Sequence, residues 1–223
     1  MITVHHLNNS RSQRVLWLLE ELGLPYEVKH YERDANTMLA PPELLAVHPL
    51  GKSPVITDGA LTVAESGAIV EYLVDTYGNG CLIPPPGTPE RLRYTYWLHF
   101  AEGSAMPPLV MKLIFDRIKS TPMPWPASAM ARRIADRVLG SFVMPNIARQ
   151  LDFMEGELAD RAWFAGSEFT AADVQMSFPL EAAAKRVGTG ADAARPRLSA
   201  FLERIHARNA YRRALQRGGR YAF

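Results

Sequence analysis

Leu7-Asn8-Asn9-Ser10-Arg11-Ser12-Gln13-Arg14-Val15-Leu16-Trp17-Leu18-Leu19-Glu20-Glu21-Leu22 is where one hydrophobic period gives way to another. The residues leading into it, Ile2 to Leu7, read as a strand. From Arg11 to Leu22, residues Val15, Leu16, Leu18, Leu19 and Leu22 share one helical face, and Gly23 and Pro25 stop the helix. Tyr26 to Tyr31 alternates like a second strand, and a short helical turn follows around Pro42 to Val47. Val55 to Val63 reads as a hairpin that turns at Asp58-Gly59. Ser66 to Tyr77 is an amphipathic helix with Ile69, Val70, Tyr72 and Leu73 apolar. The order βαβαββα describes an α/β unit that mixes parallel and antiparallel pairing.

Gly78 to Pro89 holds a run of glycines and prolines that no helix can continue through. We read 79–89 as a stiff linker between an α/β domain, 1–78, and a second domain, 90–223. The second domain shows only helical patterns: Glu90 to about Ala105, Pro108 to Lys119, Ala127 to about Leu158, Ala171 to about Arg186, and Arg197 to Leu215. Pro107-Pro108 and Pro145 are expected to break or kink their helices.

Net charge is +2, but residues 1–78 carry a balance of −5 and residues 79–223 a balance of +7. Such asymmetry can mark an anion-binding half, or two domains of different origin. Residues 195–220 hold eight arginines against one acid, Glu203. Aromatic interleaving is sparse there, so a solvated helix face is expected rather than a nucleic-acid surface. Cys81 is the only cysteine, which excludes an intramolecular disulfide and fits a reducing compartment. No stretch approaches the ~20 apolar residues of a membrane span, and the first residues are too polar for a signal segment. A cytoplasmic, unexported protein is expected. The six histidines show no metal-ligand spacing, so no metal is assigned.

Four constellations could carry chemistry. Ser10 and Ser12 sit at a helix N-terminus, where free backbone N–H groups and the helix dipole favour an anion such as a thiolate. A serine hydroxyl would add a charge-assisted hydrogen bond. Ser10-x-x-Gln13 is equally a capping box, and the two roles could fall to different serines. In Gly51-Lys52-Ser53-Pro54-Val55 a proline opens a strand. A cis Ser53–Pro54 bond would turn the Ser53 backbone toward a peptide ligand, with Lys52 available for a carboxylate; a trans turn with a solvated lysine is the ordinary alternative. Glu65-Ser66 precedes a helix, with Ser66 as the expected N-cap. Glu65 could hold an ammonium and Ser66 a carboxylate. Thr170-Ala171-Ala172-Asp173 is a capping box for a buried helix.

Taken in order, these pieces resemble the cytosolic glutathione S-transferases across the whole chain. The resemblance is nearest to a serine-type subgroup shared by bacteria and fungi. It rests on Asn9 to Leu22, Tyr31-Glu32-Arg33-Asp34, Pro41 to Leu44, His48 to Pro54, Ala64 to Gly67, Glu102-Gly103-Ser104 and Met123-Pro124. It implies a thioredoxin-like N-terminal domain and an all-helical C-terminal one. It implies Ser10, ahead of Ser12, as the thiol-activating residue. Ser53 and cis-Pro54 would pair with the cysteinyl backbone of glutathione, Lys52 would face its glycine carboxylate, and Glu65 and Ser66 would hold its γ-glutamyl end. Thr170 and Asp173 match the family's helix-nucleating cap. The family usually has an aliphatic residue where Ser53 stands, but the backbone does the binding. Trp97, Phe100 and Met106 are the candidates for a co-substrate pocket.

The resemblance further implies a homodimer, glutathione as co-substrate without another cofactor, and an apolar electrophile or a peroxide as second substrate. A thiol–disulfide oxidoreductase would need a cysteine at the first helix start, and residues 8–14 contain none. A non-catalytic binding or regulatory module of the same fold is the other alternative. The presence of Ser10, Lys52, Glu65 and Ser66 together argues against it.

Overall fold

The sheet is built around its first strand. A computed structural model describes residues 1–35, 37–187 and 195–219. Strand β1 (Ile2–Leu7) pairs in parallel with β2 (Tyr26–Tyr31), from Ile2 opposite Tyr26 to Leu7 opposite Tyr31. On its other edge it pairs antiparallel with β3 (Val55–Asp58), which turns through Gly59 into β4 (Leu61–Ala64). The sheet order is β2-β1-β3-β4. Both faces of β1 are covered from Val4 to Leu7, so His5 and His6 are buried with the apolar residues.

Helix α1 (Ser12–Glu21) is buried on every side from Ser12 to Leu19. The one-sided reading of its pattern is therefore incomplete: Trp17 leaves the sheet face and packs edge-on against Tyr211, 5.2 Å between ring centroids. Helix α2 (Pro42–Val47) and helix α3 (Ser66–Tyr77) complete the α/β unit. The expected N-cap at Ser66 is corrected. Glu65 is the capping residue, at φ 71°, and Ser66 is the first helical residue. The hydroxyl that would cap is occupied by longer-range partners, described below.

The helical half contains α4 (Pro89–Phe100), α5 (Met106–Ser120), α6 (Ala127–Val138), α7 (Met144–Glu157), α8 (Ala171–Val187), α9 (Pro196–Ala207) and α10 (Asn209–Gly218). Thr88 caps α4 by accepting from the Arg91 N–H, with Pro89 in the first turn. The prolines expected to break or kink their helices leave the helical run unbroken but irregular. Single π turns at Ala101–Ala105 and Leu139–Val143 join α4 to α5 and α6 to α7 just ahead of Pro107 and Pro145. A proline lacks an N–H and its ring crowds the carbonyl four residues back; widening the preceding turn relieves both. The expected single helix from Arg197 to Leu215 is instead two. Arg208 is extended, at ψ 133°, and lets α10 fold back onto α1.

One apolar cluster runs through both halves, from Leu18, Leu19, Val70 and Leu73 to Trp97, Phe164, Met176 and Phe201. Arg197, Arg212, Arg213 and Arg217 are exposed, as a solvated face requires, but the C-terminal arginines also tie this end to the first half. Arg208 grips Glu21 with two hydrogen bonds of 2.6 and 2.8 Å, Arg213 pairs with Glu20 at 2.5 Å, and Arg217 donates to the Tyr26 carbonyl. Arg220 lies outside the described residues. Among the described residues no helix is long and apolar enough to cross a membrane.

The start of α8 is pinned by Asp173, which is fully buried. Its carboxylate accepts from the backbone N–H groups of Phe164 and Thr170 at 2.9 and 2.8 Å and from the Thr170 hydroxyl at 3.1 Å. Burial pushes Asp173 up to about 6, against the opposing pull of those hydrogen bonds. Its folded pKa thus lies above the ~3.9 of an unfolded aspartate, so its stabilising contribution is full below that value and declines as pH rises through about 6. Replacing Asp173 with alanine is expected to cost about 1–3 kcal/mol. The gap between wild type and Asp173→Ala should narrow as pH rises from about 4 to 6, measured by denaturant unfolding across that range.

Candidate active site

Five of the residues singled out in the sequence line one polar cleft of about 230 Å³: Lys52, Ser53, Pro54, Glu65 and Ser66. The Ser53–Pro54 peptide is cis. The cleft is closed by Arg11, His48, Leu50 and Glu102, none of which the sequence marked for this role. Lys52 and Glu65 are exposed at its rim, whereas Ser66 is buried. Glu65 has a backbone φ of 71°, a region that costs a non-glycine residue about 1–3 kcal/mol and recurs at binding sites.

Beneath the Ser53–Pro54 wall lies a chain of hydroxyls. Ser10 Oγ is 3.2 Å from Ser53 Oγ and 2.7 Å from Ser12 Oγ. Ser12 Oγ is 2.8 Å from His6 Nδ1. Ser53 Oγ donates to the His5 carbonyl at 3.0 Å and accepts from the Leu7 N–H at 3.3 Å. A hydroxyl at position 53 therefore ties the cis-proline loop to the end of β1, which an aliphatic side chain could not do. The expected Ser10-x-x-Gln13 capping box does not form. Arg11 is the N-cap and makes no side-chain cap bond, and Ser10 Oγ accepts from the Ser12 N–H at 3.3 Å.

The wall on the opposite side is set by Arg14, whose side chain is fully buried. Its guanidinium donates to the Gln175 carbonyl at 2.6 Å, to Ser66 Oγ at 3.0 Å and to the Glu102 carboxylate. Glu102 also pairs with Arg11, 3.1 Å from Nε. It reaches both arginines from the π turn between α4 and α5. Ser66 is thus held from three sides, by Arg14, by Gln175 at 3.4 Å and by Glu102 at 3.5 Å.

Arg11 also lines a second, larger cleft of about 490 Å³. Met106, Leu109, Val110, Leu113, Ile114 and Phe178 give it an apolar wall, while Asn9, Arg33, Arg117 and Arg186 stand at its polar edges. Of the three pocket candidates from sequence, Met106 lines this cleft. Trp97 is fully buried in an aromatic cluster, 4.5 Å from Phe164 and 5.7 Å from Phe153 between ring centroids, and Phe100 packs on it at 5.0 Å. Both face the helical core and neither lines the cleft, because α4 turns its aromatic side toward α7 rather than toward α1. Thr170 and Asp173 lie at the α8 start and line neither cleft.

A mixed sheet with a cis-proline loop beside a helix N-terminus, backed by an all-helical unit, sets a polar cleft next to an apolar one. Comparison with known proteins names the family. Residues 1–75 match the glutathione S-transferase N-terminal domain and residues 141–209 the glutathione S-transferase C-terminal domain. Glutathione S-transferase 1 of Saccharomyces cerevisiae is 35% identical over 95% of this chain and 92% of its own length. Glutathione S-transferase 3 of Schizosaccharomyces pombe is 39% identical over 82% of this chain and 74% of its own. Among solved structures, a glutathione S-transferase from Actinobacillus pleuropneumoniae superposes with a TM-score of 0.79 at 32% identity, covering 99% of this chain and 94% of that one. A glutathione transferase of Phanerochaete chrysosporium, solved with oxidized glutathione, gives 0.75 at 26% identity, covering 96% and 94%. The chain belongs to the glutathione S-transferase family and is a glutathione transferase.

Arg14 spans three acceptors with a planar fork that a lysine ammonium cannot reproduce. Arg14→Lys is expected to lower stability by about 2–4 kcal/mol in urea unfolding. Glu102→Gln should cost less, about 1–2 kcal/mol, because the Glu102 side chain is 32% exposed.

Proposed function

We propose that glutathione lies across the polar cleft with its glycine carboxylate toward Lys52, its cysteinyl backbone on Ser53 and cis-Pro54, and its γ-glutamyl end at Glu65 and Ser66. The Ser10 hydroxyl, at the α1 start, stabilises the thiolate. An apolar electrophile occupies the neighbouring cleft beside Met106 and Phe178 and is attacked by the sulfur. Peroxide reduction by the same thiolate is a second output of this arrangement. The carrying observation is that the two clefts meet at Arg11, one residue after Ser10. The oxidized glutathione in the Phanerochaete structure supports the choice of ligand.

Thr170 and Asp173 serve as the helix-nucleating cap and take no part in the chemistry. Glutathione is the co-substrate and no further cofactor takes part. The protein works as a homodimer, a reading supported by exposed Leu92 and Tyr96, one turn apart on α4, and exposed Leu61 on β4. We place it in the cytoplasm, in keeping with its lone cysteine, Cys81.

A charge-assisted hydrogen bond contributes about 1.5–3 kcal/mol, so Ser10→Ala should lower kcat/KM for an activated aryl halide by about ten- to a hundredfold. It should also raise the pH at which the bound thiol ionises, followed by thiolate absorbance in the ultraviolet. Lys52→Ala should instead raise KM for glutathione with kcat nearly unchanged. Wild-type kinetics in Ser10→Ala would sink the assignment.

A further inference from the structure

The larger cleft carries charge of one sign only. In the polar cleft Arg11 and Lys52 are matched by Glu65 and Glu102. In the larger one Arg11, Arg33, Arg117 and Arg186 meet no carboxylate among the described residues that line it. Arg11 is already answered by Glu102, 3.1 Å away. Among the described residues, Arg33, Arg117 and Arg186 form no ion pair. Asp116 on α5 is bonded to Lys112 at 2.5 Å, and Asp34 accepts from the Thr37 N–H and hydroxyl at 2.7 and 2.9 Å. Arg33 donates only to carbonyls, those of Asn8 and Met38, at 3.3 and 3.1 Å.

Two of these cations have also lost water. Burial lowers Arg33 from the ordinary arginine value, and the charge on Arg11 lowers it further. Burial lowers Arg186 too, with Asp116 pulling the other way. A guanidinium keeps its proton regardless. Both are therefore charges that have given up hydration without gaining a counter-charge.

Their placement gives the cleft a direction. On α5, Met106, Leu109, Val110, Leu113 and Ile114 form one helical stripe, and Arg117 ends it. On α8, Phe178 and Ala182 form a second stripe that ends at Arg186. Both stripes begin beside Arg11. The Phe178 ring lies 5.6 Å from its guanidinium, and its partner Glu102 stands in the turn just ahead of Met106. Both end in a cation, after about 16 Å of α5 and about 12 Å of α8. Helical side chains lean toward the N-terminus, which carries the two guanidiniums back toward the reacting end.

We propose that the second substrate is an amphipathic organic anion: an electrophilic carbon on an apolar body, with a carboxylate roughly 6–12 Å away that Arg117 and Arg186 receive. Arg33 adds to the positive field that draws it in. This class rests on the reading that glutathione fills the polar cleft. For an enone carrying such a carboxylate, the thiolate sulfur bonds to the terminal alkene carbon, and the alkene π pair moves onto the ketone oxygen. A proton from water then restores the C–H beside the carbonyl. Nothing leaves, and the carboxylate takes no part. Arg117 and Arg186 thus set which substrate is held rather than how it reacts.

Ethacrynate and its methyl ester test this as a pair. They differ in charge at the end of the aryl body remote from the reacting methylene. The ester is the more apolar, so an apolar cleft without the arginines would favour it. Wild type should show kcat/KM for the acid about ten- to a hundredfold above that for the ester, each corrected for its uncatalysed reaction with glutathione. Raising sodium chloride from about 0.05 to about 0.5 M should shrink that ratio several-fold. Arg117→Gln and Arg186→Gln should each lower the ratio through KM for the acid, and the double variant should bring it to about one or below. A wild-type ratio at or below one overturns the proposal without any variant and leaves the glutathione reading standing. A ratio unmoved in the folded double variant overturns the assignment to Arg117 and Arg186. If wild type conjugates neither compound, the glutathione reading fails, and the anionic class with it.

Discussion

A guanidinium buried without exposure must have its charge answered, and Arg14 sets that demand at the centre of this molecule. It is answered by three elements other than its own: a carbonyl of α8, the first hydroxyl of α3, and a carboxylate from the π turn after α4. Two of those three belong to the helical half. The polar cleft therefore takes its final shape only when the helical half is docked. Ser66 is held in place by this demand rather than by the ordinary needs of a helix start. The π turn has a part in it too, since Glu102 lies within the widened turn that precedes Pro107.

The same docking is reinforced from the C-terminal side. Helix α10 folds back over α1 because Arg208 leaves the helical conformation, and its arginines then meet the acids at the end of α1. Arg208 and Arg217 also lie 3.8 Å over the rings of Phe169 and Tyr26. The acidic first half and basic second half thus face one another. With a shared apolar core running from the sheet to α9, α1 is enclosed on all sides, and the hydroxyl chain at its start is shielded from bulk water.

The order of the elements could be read from the sequence because strands and helices leave different periods, and Asp58-Gly59 marks its hairpin by turn chemistry alone. The five residues that meet in the polar cleft were legible as an ordered set of motifs, each weak by itself. What escaped the sequence depends on partners far along the chain. Ser10-x-x-Gln13 and Ser66 both look like caps locally, but their hydroxyls are taken by Ser12 and Ser53 in one case and by Arg14 in the other. Trp97 and Phe100 are aromatic residues whose direction depends on how α4 packs, which no local pattern records. Arg14 and Glu102 both lie in stretches that carry the family resemblance, but nothing local marks them as partners. The helix break at Arg208 follows from the reach of its side chain to Glu21, across most of the chain.

The proposed chemistry depends on where the sulfur of glutathione sits. A crystal structure with glutathione bound settles it. The sulfur is expected within hydrogen-bonding reach of Ser10 Oγ, with the glycine carboxylate toward Lys52 and the γ-glutamyl end at Glu65 and Ser66. A sulfur held by Arg11 or Asn9, with Ser10 beyond its reach, would contradict it.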